Sequence, residues 1–151
     1  MRAALLTVFF SLACLGVSNA EPGIEIKDAW VRETPPGSTI TAVYMNIQNN
    51  GSTGDTLKSA SSKISKSAEI HKTVHEKGVA KMEMMESVEV PSGSTVKLEP
   101  GGVHIMLIDL EEPVKSGDKV EVELVFENGG SVKVEAEALG VGDDAHQHHH
   151  H

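Results

Sequence analysis

Ten residues separate His71 from Met82, twenty-one separate Met82 from His104, and one separates His104 from Met106. Two imidazoles and two thioethers are thereby offered from three segments, and the i, i+2 spacing of the last pair puts both side chains on one face of a strand. Thioether sulfur is neutral and polarisable and a poor partner for hard cations. Two Met ligands therefore disfavour Mg and Ca and favour Cu(I), while imidazole suits copper and zinc alike. Two His alone would leave zinc open. A blue-copper electron-transfer centre needs a Cys thiolate beside its imidazoles, and the single cysteine, Cys14, lies in a segment expected to be removed. The set His71, Met82, His104 and Met106 thus reads as a Cu(I) carrier site rather than an electron shuttle.

Each of these residues also has a plainer reading. Met82 shares strand parity with Ala80, Met84, Val88 and Val90, and an isolated methionine in that pattern is more readily a core side chain. A bulge or a position near the strand end would be needed to turn it to the site. His104 and Met106 differ, because Val103, Ile105 and Leu107 already supply the opposite, core-facing parity. His71 alone reads as a surface histidine, with His75 a ready decoy. The joint spacing lifts all four, since His outside the terminal tail occurs only at positions 71, 75 and 104. Met84 and Met85 offer further sulfur, with packing the expected role of at least Met84. Trp30 and Arg32 read most simply as a core and an edge residue.

The elements that must hold these side chains are strands. The segments IEIKDAWV and TITAVYMNIQ flank the Pro35-Pro36-Gly37 turn, and residues 51–68 are Ser, Gly, Thr and Lys rich, which predicts loop with at most one short strand. AEIHKTVHE ends at Lys77-Gly78, VAKMEMMESVEV at Pro91-Ser92-Gly93, and TVKLEP leads to Pro100-Gly101-Gly102. VHIMLIDL, KVEVELVFE, the hairpin signal Asn128-Gly129-Gly130 and SVKVEAEAL follow. No segment keeps a helical period. Seven or eight strands with turns roughly every 8–12 residues predict an all-β, antiparallel sandwich or barrel.

Around this domain lie two segments of other character. Residues 1–20 open with Arg2, continue with the short apolar run ALLTVFFSLACLGV and end in Ser18-Asn19-Ala20, the pattern of a secretory signal peptide cleaved after Ala20. SLAC is a poor lipoprotein signal, because Ser11 stands where an aliphatic residue is wanted. Removing the leader leaves residues 21–140 as one domain, with no membrane span, and residues 141–151 as a flexible tail. The tail carries His146, His148, His149, His150 and His151; because the leader is present in the same chain, it reads as a native extension rather than a tag remnant. A His-rich tract without thioethers suits Cu(II) better than Cu(I).

Composition narrows the function further. Of 13 basic residues only Arg2 lies in the leader, so the mature chain carries a net charge near −10 against 22 acidic residues. That balance argues against nucleic acid or an anionic membrane as partner. The mature chain has no cysteine, hence neither disulfide nor thiolate site.

The ligand spacing, AEIHKT, the run Pro100-Gly101-Gly102-Val103-His104-Ile105-Met106-Leu107, and the DAWVRETPPG and Tyr44-Met45 stretches together resemble the periplasmic copper chaperones called PCuAC, over residues 24 to 138. The resemblance implies a cupredoxin-like β-sandwich, a mononuclear Cu(I) site at His71, Met82, His104 and Met106, and copper delivery toward the binuclear copper centre of cytochrome c oxidase, directly or through another copper chaperone. The leader predicts a periplasmic or otherwise extracytoplasmic location, and a monomer is expected. Other function classes are a sandwich used only for protein contact, a copper-storage or resistance protein, and a copper enzyme. The enzyme ranks last, because an enzyme needs an open coordination position and a substrate pocket.

Overall fold

A computed structural model describes residues 23–140 and 142; the leader and the His-rich tail lie outside the described residues. Ten strands follow one another: β1 Ile24–Arg32, β2 Ile40–Asn49, β3 Asp55–Ser61, β4 Ser65–Glu76, β5 Val79–Met85, β6 Val88–Val90, β7 Thr95–Leu98, β8 Val103–Leu110, β9 Lys119–Phe126 and β10 Gly130–Leu139. Among the described residues there is no helix long and apolar enough to cross a membrane. The all-β expectation is met.

The strands run β5-β4-β8-β2-β1-β10-β9-β3-β6, with β7 pairing β2. Every pair is antiparallel except β1 with β10. One buried cluster joins the two halves of this path, Val43, Met45, Ile105 and Leu107 meeting Leu57, Val90, Val122 and Leu124. Each such side chain contributes about 1.5–3 kcal/mol on leaving water.

Local chemistry sets the registers that matter here. Lys77 and Gly78 both have positive φ, 49° and 81°, as a two-residue type I′ hairpin turn requires. That turn pairs Glu76 with Val79 and, counting back, His71 with Met84 and Thr73 with Met82. Between β7 and β8, Pro100 precedes Gly101 at φ 80°, and the Gly102 N–H donates to the Glu99 carbonyl at 3.0 Å. This is a type II turn, with Pro fixing its first central residue and Gly supplying the positive φ of the second.

Two expectations are corrected. Residues 51–68 are not mostly loop, since they form β3 and the start of β4. Strand β3 buries few apolar groups because one of its inward residues is Asp55, whose carboxylate accepts the Thr56, Asn128 and Gly129 N–H groups at 2.8, 2.9 and 2.8 Å. It thereby ties β3 to the β9–β10 turn. Trp30 is buried, but outside the main hydrophobic cluster. Strand β1 has a register shift between Lys27 and Trp30, with Asp28 at φ 52°. Ile26 pairs with core-facing Ile47 before the shift, and Val31 pairs with core-facing Val43 after it. The bulge thus exchanges the two faces of the strand, and Trp30 emerges on the face away from the core.

Candidate metal centre

That outer face carries the chemistry. On β8, Ile105 and Leu107 enter the core and are fully buried, so His104 and Met106 point the other way. His104 pairs directly with His71 on β4, and Met106 with Glu69. Directly paired residues share a face, so the β8 and β4 registers bring three of the four expected ligands into one patch. The His71 and His104 ring centres are 6.2 Å apart. With metal–nitrogen bonds of about 2 Å, rings at this separation can share one ion without strand movement.

Continuing the same row across the sheet, Trp30 pairs with Tyr44, Tyr44 stacks 6.2 Å from His104, and His71 pairs with Met84. The row grades from buried to open: Tyr44 is 4% exposed, His104 3% and Met84 69%. Trp30 and Tyr44 rings lie 4.5 Å apart, with the Arg32 guanidinium carbon 6.0 and 5.6 Å from their centres. A cationic, aromatic wall therefore closes the inner end of the row.

Met82 and Met106 lie on opposite sides of the His71–His104 pair. Met106 is half-buried beside Glu69, while Met82 is 57% exposed on the outermost strand, two residue pairs beyond His71 toward the β4–β5 turn. Diagonal neighbours of this kind sit about 7–8 Å apart at the backbone, within reach of a long side chain. Neither Met82 nor Met84 packs in the core, contrary to what parity suggested for both. The core methionine of this strand is Met85, which pairs with buried Ile70 and packs against the core cluster. His75 is exposed and pairs with Ala80 near the hairpin turn. Among the described residues no group of three or more His, Cys, Asp and Glu is placed to hold a metal ion.

Hydrogen bonds fix both rings. The His104 Nδ1 lies 3.1 Å from the Gly102 carbonyl, which assigns Nδ1 as the donor and leaves Nε2 as a free lone pair. The same carbonyl accepts the Thr73 N–H at 3.1 Å, locking β8 to β4 beside the site. The His71 Nε2 lies 2.7 Å from a Glu69 carboxylate oxygen. Glu69 escaped the sequence reading, although its place two residues before His71 on the same strand face was visible in the spacing.

Burial holds His104 below the ordinary histidine value of 6.5, with nearby His71 and Arg32 lowering it further against the raising effect of the Gly102 bond. The unfolded chain therefore binds more protons than the folded one below 6.5, and stability should fall as the pH drops through that region. Urea unfolding of the metal-free protein should show this acid loss, and His104→Gln should reduce it. An equal pH slope in both proteins would show that His104 is not the group responsible. For a bound metal the depression is favourable, because protons compete for this imidazole only at lower pH.

The model of the LpqE-like lipoprotein family matches residues 24–138. Protein Lxx21020 of Leifsonia xyli subsp. xyli is 36% identical over 113 residues, covering 74% of this chain and 67% of the relative. The solved copper-bound PCuAC domain from PmoF2 is 27% identical with a TM-score of 0.66, over 78% of this chain and 93% of that one. The Cu(I) form of DR1885 from Deinococcus radiodurans is 30% identical with a TM-score of 0.64, over 80% of each chain. The fold is the cupredoxin-like sandwich of PCuAC domains.

Proposed function

The chain belongs to the LpqE-like lipoprotein family, and from that premise we propose that it is an extracytoplasmic copper chaperone that carries one Cu(I) on His71, Met82, His104 and Met106. The observation that carries this reading is the direct cross-strand pairing of His71 with His104 on an outer sheet face, flanked by one thioether on each side. Imidazole alone would accept zinc as readily; the sulfurs tilt the set toward Cu(I). Copper-binding relatives of the same fold support the copper role.

A carrier must also let go. His104 and Met106 sit on a strand paired on both edges, whereas Met82 lies on the sheet's outermost strand and is mostly exposed. An acceptor can replace Met82 first, and the ion then leaves by exchange of one ligand at a time. The acceptor proposed is the binuclear copper centre of cytochrome c oxidase, directly or through another copper chaperone. The leader, cleaved after Ala20, would deliver the protein to that compartment, and the tail at His146 and His148–His151 would hold Cu(II). Mixing the Cu(I)-loaded protein with the metal-free copper domain of the oxidase tests delivery. Copper should move to the acceptor within the mixing experiment; retention by the donor would favour storage instead.

A further inference from the structure

The two imidazoles of the site are held in opposite ways. His104 uses Nδ1 toward the Gly102 carbonyl, which leaves Nε2 to ligate. His71 uses Nε2 toward Glu69, at 2.7 Å, while its Nδ1 is buried with no hydrogen-bond partner. We infer that Glu69 is a positioning residue that fixes His71 in the Nε2–H form, so that His71 ligates copper through Nδ1 while His104 ligates through Nε2.

Counting polar groups decides between the two nitrogens. If His71 bound the ion through Nε2, the Glu69 bond would have to break, and the proton would sit on Nδ1. Nδ1 would then be a buried donor without an acceptor, which is destabilising because the group has lost its water and gained nothing in exchange. In the Nε2–H form the carboxylate keeps its donor, and the buried Nδ1 offers a lone pair that no protein group uses. A metal ion that accepts imidazole is the partner this atom lacks. The arrangement is that of a carboxylate behind a metal-bound histidine, which fixes the tautomer and orientation of the ring. Glu69 can do this at little cost, because its side chain is 37% exposed while its neighbour Ile70 supplies the core contact.

The inference rests on the copper reading above, and the experiment separates the two. Ring nitrogens are observed by NMR in histidine-labelled protein at fixed neutral pH, without metal and with one equivalent of Cu(I). Before copper, His71 should show a protonated Nε2 and an unprotonated Nδ1, with His104 the reverse. On loading, the large shifts should fall on His71 Nδ1 and His104 Nε2. Glu69→Ala should give mixed His71 forms and about 10- to 100-fold weaker Cu(I) binding, and Glu69→Gln, which keeps an acceptor oxygen, should restore one form and most of the affinity. A copper shift at His71 Nε2, or an unchanged His71 in Glu69→Ala, would overturn the role of Glu69 while leaving the chaperone reading intact. Absence of any ring shift with Cu(I) would overturn both.

Discussion

Replacing His104 or His71 with Ala should lower Cu(I) affinity by about 10²–10³-fold. The size takes as its scale the apparent free energy of structural zinc in four-ligand zinc-finger peptides, about 10–16 kcal/mol, divided among four ligands at about 1.4 kcal/mol per tenfold. The fold should survive both changes. The two rings lie on the outer face, and the core contacts of their strands come from Ile70, Ile105 and Leu107. His75→Ala is the control, since His75 is exposed and pairs with Ala80 near the hairpin turn. Titration against a Cu(I) chelator, with the folded NMR spectrum checked in each variant, reads the effect. If His75→Ala were as damaging as His71→Ala, the imidazoles would be wrongly assigned.

The sulfur half of the site gives the second large effect. Met106→Leu and Met82→Leu should each weaken Cu(I) binding by about 10²–10³-fold on the same division of energy, while leaving the affinity for zinc, which does not depend on thioether, almost unchanged. Met and Leu are close in volume, so stability should change by less than about 1.5 kcal/mol. Met85→Leu should have no effect on copper, because Met85 packs against the core. Met84→Leu is the informative control. Met84 stands directly opposite His71 and is the most exposed methionine of the strand. A larger loss from Met84→Leu than from Met82→Leu would move the edge-strand ligand to Met84.

Why Met82 and Met84 were ambiguous is a matter of sheet position. Alternation reports burial only where one face of a strand meets a core, and β5 has a partner on one edge and exposed residues on both faces along almost its whole length. The parity that suggested packing therefore carried no information there. The opposite was true of β8, where Ile105 and Leu107 claim the core and the histidine and methionine between them had to face outward. The hairpin register was legible as well, since Lys77-Gly78 as a two-residue turn dictates that His71 faces Met84.

Other features could not be read from the pattern. The bulge at Asp28 reverses the faces of β1, so that the core-facing parity of Ile24 and Ile26 passes to Val31 while Trp30, the one tryptophan, takes the outer face. Strand β3 was hidden because Asp55, a polar residue, takes an inward place to hold three backbone donors. Glu69 needed only the strand assignment and a count of two residues, but its partnership with the ring depends on side-chain geometry. The wall of Trp30, Tyr44 and Arg32 beside His104 likewise required the strand order, in which β2 lies next to β8 and β1 next to β2.

The most direct test of the Cu(I) assignment is a competition titration of the leader-free protein lacking residues 141–151, with Cu(I) and with Zn(II) in parallel. Removing the tail takes away five histidines that could bind either metal. The account predicts one tightly held Cu(I) per chain and far weaker zinc, because two of the four donors are thioethers. Comparable affinity for zinc, or no Cu(I) bound at one equivalent, would contradict it.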